Sequence, residues 1–236
     1  AWLKALRADL AAGDPGTAKD AALMRLYLAL ESLAVVGVVS DRELIGRYLV
    51  SEGPFQLRVS ACRAAAHAAG AASAGRLLHV AKTDEEPAVR TAAVRLLGRL
   101  KPRPSKLVQK LAALLPLAPT KEVRFSGPND PRLNKWPSPK GAILRSIRRL
   151  GAAPVKTAIL EVVADPAPPD VFTAALQALM SLKADPALPA ELVLCFRAKR
   201  EASSALYNAE ICAALTKITG KKLGNDVDAW RRAVKN

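Results

Sequence analysis

Apolar and polar residues follow one another along this chain with a helical period. Leu57, Ala61, Ala65 and Ala68 recur at three- and four-residue spacing, and so do Val89, Ala93, Leu96, Leu97 and Leu100. Such spacing places each set on one face of an α-helix. Pro87 follows the acidic run Asp84 to Glu86, and a proline at the first helical position behind an acidic residue suits a helix N-terminus. Shorter apolar helices are predicted over Asp41–Val50, Ser73–Lys82, Ser105–Leu115, Pro154–Ala164 and Pro189–Lys199. A first pair is predicted over Ala1–Ala12 and Thr17–Gly37, with Gly, Pro and Asp marking the turns.

The stripes repeat in sequence as well as in period. PAVRTAAVRLL (Pro87 to Leu97) aligns without gaps on PDVFTAALQAL (Pro169 to Leu179), an offset of 82. LRVSACRAA (Leu57 to Ala65) aligns on VRTAAVRLL (Val89 to Leu97), an offset of 32, so that Arg58 matches Arg90 and Arg63 matches Arg95. IRRLG (Ile147 to Gly151) aligns on VRLLG (Val94 to Gly98), an offset of 53. The last offset is one ordinary period plus about 20 residues. The pattern thus alternates a helix A with a helix B in about six pairs. A long insertion, 116–137, separates A from B in the fourth pair.

At this point the chain resembles the HEAT-repeat α-solenoids of bacterial HEAT-like proteins. DEEPAVRTAAVRLLGRL (Asp84 to Leu100) carries the resemblance best: Asp in the turn, then Pro, Val-Arg, and Ala and Leu at helical spacing. ALTKITGKKLGNDVDAW (Ala214 to Trp230) is similar to the closing segment of such proteins. The resemblance implies a right-handed α-α superhelix in one domain, 1–236, with a C-terminal cap over 219–236. It departs at Val171-Phe172, where Phe stands in place of Arg, and in the first unit. A single helix pair cannot bury its apolar stripe, so units of this kind are stable only when stacked.

Composition agrees with an all-α chain. Half the residues are hydrophobic but only 4% are aromatic, leaving Ala and Leu, both strong helix formers, to fill the core. Charge is more informative. The formal net charge is +15, and residues 101–150 alone hold twelve basic and two acidic side chains, whereas residues 1–50 balance at six and six. Clustered positive charge attracts acidic partners. A protein partner with an acidic surface is expected, and a nucleic-acid backbone remains an open alternative.

Two sets of residues are candidates to meet such a partner. Arg63, Arg95 and Arg148 occupy equivalent B-helix positions, each two residues beyond a buried position and therefore about 200° around the helix. If B helices line the inner face, as the resemblance implies, they form a column that Arg99, Arg145 and Arg149 thicken. The insertion supplies the second set: Lys121, Arg124, Arg132 and Lys135 are basic, and Phe125 and Trp136 could stack on bases, fill a partner pocket or anchor the loop on its own unit. Arg58 and Arg90 follow their turns in equivalent places and are expected to be structural, tied to turn acids or carbonyls, with Asp84 at the right spacing for Arg90.

No GxSxG, HExxH, P-loop or GxGxxG motif occurs. His67 and His79 have no Cys or carboxylate at ligand spacing, so no metal and no cofactor is expected. Cys62, Cys195 and Cys212 sit in apolar helical patterns as buried small hydrophobes, with a pairing of Cys195 and Cys212 left open. A non-catalytic scaffold is therefore the main reading. A basic DNA-repair enzyme of the HEAT-like alkyl-purine glycosylase type is the alternative, disfavoured because Trp2, Trp136 and Trp230 do not stand beside an acid on a B helix. A bilin-lyase-like role lacks its aromatic and tetrapyrrole signature. No apolar run approaches the roughly 18 residues of a membrane span. Because the chain begins at Ala1 rather than Met, a removed leader or upstream segment stays open, with either a cytoplasmic or an exported location.

Overall fold

The computed structural model describes residues 2–14, 16–17, 20–49, 52–120, 123–124, 135–136, 138–165, 167–197 and 204–235, with the backbone alone at positions 20, 123, 124, 135, 136 and 235. It is helical almost throughout. In chain order the helices are α1 (Trp2–Ala12), α2 (Asp20–Val36), α3 (Arg42–Leu49), α4 (Phe55–Ala69), α5 (Ala74–Thr83), α6 (Pro87–Leu97) and α7 (Leu107–Ala112). They continue as α8 (Pro139–Leu150), α9 (Lys156–Ala164), α10 (Pro169–Met180), α11 (Leu188–Leu194), α12 (Ser204–Thr219) and α13 (Val227–Lys235). The exception among the described residues is a two-residue antiparallel pairing inside the insertion, β1 (Val123–Arg124) with β2 (Lys135–Trp136), Val123 opposite Trp136 and Arg124 opposite Lys135.

The starts of α6 and α8 show why the chain folds locally as it does. Both helices have Pro in the first turn, where its missing N–H costs nothing. Glu86 and Ser138 cap them, accepting from the N–H groups of Ala88 and Gly141. Gly151 ends α8 with φ +110°, a conformation that a side chain would resist, and its N–H donates to the Ile147 carbonyl.

Each odd-numbered helix from α1 to α11 packs on the even-numbered helix that follows it, and each even-numbered helix packs on the next, from α2 through α12. One continuous cluster of buried apolar side chains runs from Leu10 to Trp230. The expected stripe residues Leu57, Ala61, Ala65 and Ala68 are all inside it. So are Val89, Ala93, Leu97 and Leu100, while Leu96 lies half-buried at its edge.

Small residues bring the even-numbered helices close together. At Gly98, just beyond α6, a built Cβ would stand 2.7 Å from the Ser146 Cβ and 2.6 Å from its Oγ on α8. Ser146 Oγ donates to the Val94 carbonyl at 3.0 Å, so the buried hydroxyl is satisfied by the neighbouring helix.

Ion pairs tie three of the units to the next. Arg7 on α1 forks onto Asp41 before α3, Arg58 on α4 onto Asp84 before α6, and Lys156 on α9 bonds Asp185 before α11. At the far end Trp230 of α13 is fully buried and donates its indole N–H to the Gly224 carbonyl.

Candidate functional site

The even-numbered helices present one shared exposed face, and arginine dominates its middle. Arg63 leaves α4, Arg95 and Arg99 flank the end of α6, and Arg145 and Arg149 lie one turn apart on α8. Residues four apart on a helix point the same way, so the pairs Arg95/Arg99 and Arg145/Arg149 confront each other across the α6–α8 contact. The close approach at Gly98 and Ser146 fixes that distance.

The electrostatics record the gathering. Partial burial lowers the Arg95 pKa first, and the guanidiniums of Arg99, Arg149, Arg145 and Arg63 lower it further. Arginine still stays protonated at any ordinary pH, so the cost appears as repulsion rather than as lost charge.

Among the described residues, two acids lie beside the cluster. On α2, Glu31 accepts from Arg63 Nη1 at 3.0 Å and from the Ser60 hydroxyl. On α10, Asp170 accepts from Ser138 Oγ at 2.9 Å and draws the Arg145 pKa upward against burial and Arg149, with burial the larger effect. Arg145 Nη2 is nevertheless buried without a hydrogen-bond partner among the described residues. A buried unsatisfied donor of this kind is costly unless something else supplies the acceptor.

Arg63, Arg145 and Arg149 stand around Arg95. Arg148 donates at 2.9 Å to Oε1 of Gln177, the residue of α10 that aligns with Arg95 at the offset of 82. Glu31 and Asp170 were not singled out from the sequence, although Glu31 lies 32 residues before Arg63 and so occupies the equivalent position of the preceding unit. In the insertion, Lys121, Phe125 and Arg132 lie outside the described residues. For Arg124, Lys135 and Trp136 the backbone pairing is described and the side chains are not.

Arg58 and Arg90 have partners within the fold. Arg58 is buried and bonds Asp84 and the Gly53 carbonyl. The sequence spacing had matched Asp84 with Arg90. The carboxylate instead goes to Arg58, and Arg90 Nη1 donates to the backbone carbonyls of Asp84 and Glu85. The guanidinium from α4 of the preceding unit reaches the carboxylate with two donors, leaving carbonyls for the arginine of the same unit.

The three cysteines are buried free thiols, which closes the question of a Cys195–Cys212 bond. Burial pushes the Cys62 thiol up to about 12, so it holds no thiolate at neutral pH. Among the described residues no group of three His, Cys, Asp or Glu side chains could hold a metal ion, and no helix is long and apolar enough to cross a membrane. Comparison with family models and with curated proteins yields no match.

Proposed function

We propose that the chain is a HEAT-like α-solenoid, a right-handed α-α superhelix that is not an enzyme and binds an acidic macromolecule on its arginine face. The ordered pairing of helices and the sequence offsets of 32, 53 and 82 support the repeat. The buried Trp230 of α13 supports a cap at the C-terminal end.

One observation carries the functional part: Arg63, Arg99, Arg145 and Arg149 converge on Arg95 from α4, α6 and α8. Self-repulsion of this kind is a cost to folding, and a solvated helix face needs no such arrangement. Guanidinium groups present two parallel donors to carboxylate or phosphate, so an acidic surface would relieve the repulsion.

The reading is tested by measuring binding of polyglutamate and of a random-sequence DNA duplex against salt. Affinity should fall steeply as salt rises. Arg95→Glu with Arg149→Glu should abolish it while the far-UV circular dichroism stays unchanged. Binding untouched by the double reversal would overturn the proposal.

A further inference from the structure

The exposed face does not end at Arg63. Glu31, the partner of Arg63, stands on α2 three residues after Leu28 and four before Val35. At about 100° per residue, Met24, Leu28, Glu31 and Val35 fall within roughly 60° of arc. They lie opposite the buried Leu26, Ala29, Leu30 and Leu33. Met24, Leu28 and Val35 are 57%, 53% and 70% exposed. Single exposed apolar residues are ordinary, whereas several in register along one helix mark a contact surface.

Register ties this row to the arginines. At the offset of 32, Glu31 occupies the place that Arg63 holds on α4 and Arg95 on α6. The same side of the even-numbered helices thus runs from apolar on α2, through the Glu31–Arg63 pair, to strongly positive on α6 and α8. The balance of charge follows the same course, net zero over residues 1–50 and +10 over residues 101–150.

We infer that this continuous face docks an acidic protein segment with large apolar side chains at one end. Its apolar residues would cover Met24, Leu28 and Val35, and its carboxylates would meet the exposed Arg99 and Arg149. The inference rests on the reading of the arginine face as a binding surface and deepens it by choosing the partner. Charge complementarity assigns the acidic half. The apolar half decides against nucleic acid: a phosphodiester backbone has nothing to bury on α2, Glu31 would repel it, and the row offers no aromatic ring on which bases could stack. From α2 to α8 there are three interhelical steps of about 8–10 Å each. The span of roughly 25–30 Å matches an amphipathic helix of about 20 residues.

The test uses the full chain and fluorescence anisotropy with three labelled probes. One is a peptide of about 20 residues with leucines at i, i+4 and i+7 in one half and glutamates in the other. The second replaces those leucines by serine at the same charge, and the third is a DNA duplex of about 20 base pairs. The leucine peptide should bind at least about tenfold more tightly than the serine peptide, equivalent to about 1.4 kcal/mol. Leu28→Ser with Val35→Ser should erase that difference without weakening the serine peptide, and Met24→Ser should reduce it in part. Arg99→Glu with Arg149→Glu should weaken both peptides, and Lys183→Glu, in the exposed turn after α10, should change neither. Equal binding of the two peptides, or tighter binding of the duplex, would overturn the apolar–acidic partner and leave the arginine face standing. If none of the probes binds, both readings fall.

Discussion

Asp84, in the turn before α6, accepts two hydrogen bonds from the Arg58 guanidinium of α4, from Nε at 2.9 Å and from Nη2 at 3.1 Å, with both side chains 6% exposed. The pair joins two consecutive units, and Asp84 also accepts from the Glu86 N–H at 2.9 Å. The same carboxylate therefore shapes its own turn and fastens it to α4 of the preceding unit. Asp84→Ala would leave a buried guanidinium with only the Gly53 carbonyl and the exposed Glu85, the latter at 3.6 Å. Breaking one side of a buried pair costs about 3 kcal/mol or more. Urea unfolding should show the loss as a lower midpoint with an unchanged slope. A change below about 0.5 kcal/mol, the range of ordinary surface substitutions, would show that the pair is dispensable.

Close approach between α6 and α8 supports a second prediction. Gly98 has an ordinary helical backbone, φ −66°, so conformational freedom is not what glycine supplies there. Space is: a Cβ would press on the Cβ, Oγ and Cα of Ser146 at 2.7, 2.6 and 3.0 Å. Gly98→Ala should destabilise the chain by about 1–3 kcal/mol, the range for overpacking a filled core. It should also part the Arg95/Arg99 and Arg145/Arg149 pairs and weaken polyanion binding. Pairing it with Ser146→Gly, which removes the obstructing side chain, should recover part of both losses.

Asp41 gives the fold an acid-sensitive contact. The Arg7 hydrogen bonds, at 2.6 and 3.1 Å, hold its carboxyl below the ordinary aspartate value against the opposing effect of burial, helped by the Val38 N–H at 3.0 Å. A carboxyl whose folded pKa is depressed contributes its full stability above the unfolded value, near 3.9, and loses it as pH falls through the lower folded value. Stability should thus be flat from about pH 7 to 5 and drop below about pH 4. Asp41→Asn should be less stable at neutral pH and show a shallower acid limb in unfolding measured across that range. Glu43 and Asp185, held low mainly by Arg76 and Lys156 respectively, keep part of the limb in the variant.

Helix positions were legible in the sequence because buried Ala and Leu recur with an unbroken helical period. Side-chain destinations were less so. Arg148 matches Arg95 in the repeat, but its hydrogen bond to Gln177, the equivalent position on α10, is made across helices. Asp84 has the right spacing for Arg90, yet a buried carboxylate is better satisfied by the two-pronged Arg58 arriving from α4. Both outcomes depend on a neighbouring helix that periodicity within one helix does not report. The apolar row of α2 was hidden for a related reason. Met24, Leu28 and Val35 are apolar like the buried set Leu26, Ala29, Leu30 and Leu33 on the opposite side, so residue type alone does not separate the two faces of α2.

Salt should stabilise this protein, and the arginine face is the reason. Two opposed effects compete. Exposed pairs such as Arg76 with Glu43, at 2.7 Å, are weakened by salt, but pairs of this kind contribute only about 0–1 kcal/mol each. Repulsion among Arg63, Arg95, Arg99, Arg145 and Arg149 is relieved by salt, and it acts within a segment of net +10 in a chain of net +15. At about 0.01 M salt the screening length is roughly 30 Å, so the whole cluster repels itself; at about 0.1 M it is roughly 10 Å. Repulsion should win, and the melting temperature should rise between those concentrations. Arg149→Gln removes one like charge from an exposed position on α8. It should raise the low-salt melting temperature and reduce the rise with salt, whereas Lys222→Gln, in the exposed segment before α13, should leave the slope as it was. Equal slopes in the wild type and Arg149→Gln, followed by calorimetry, would mean that the arginines are solvated independently and that the face carries no stored repulsion for a partner to relieve.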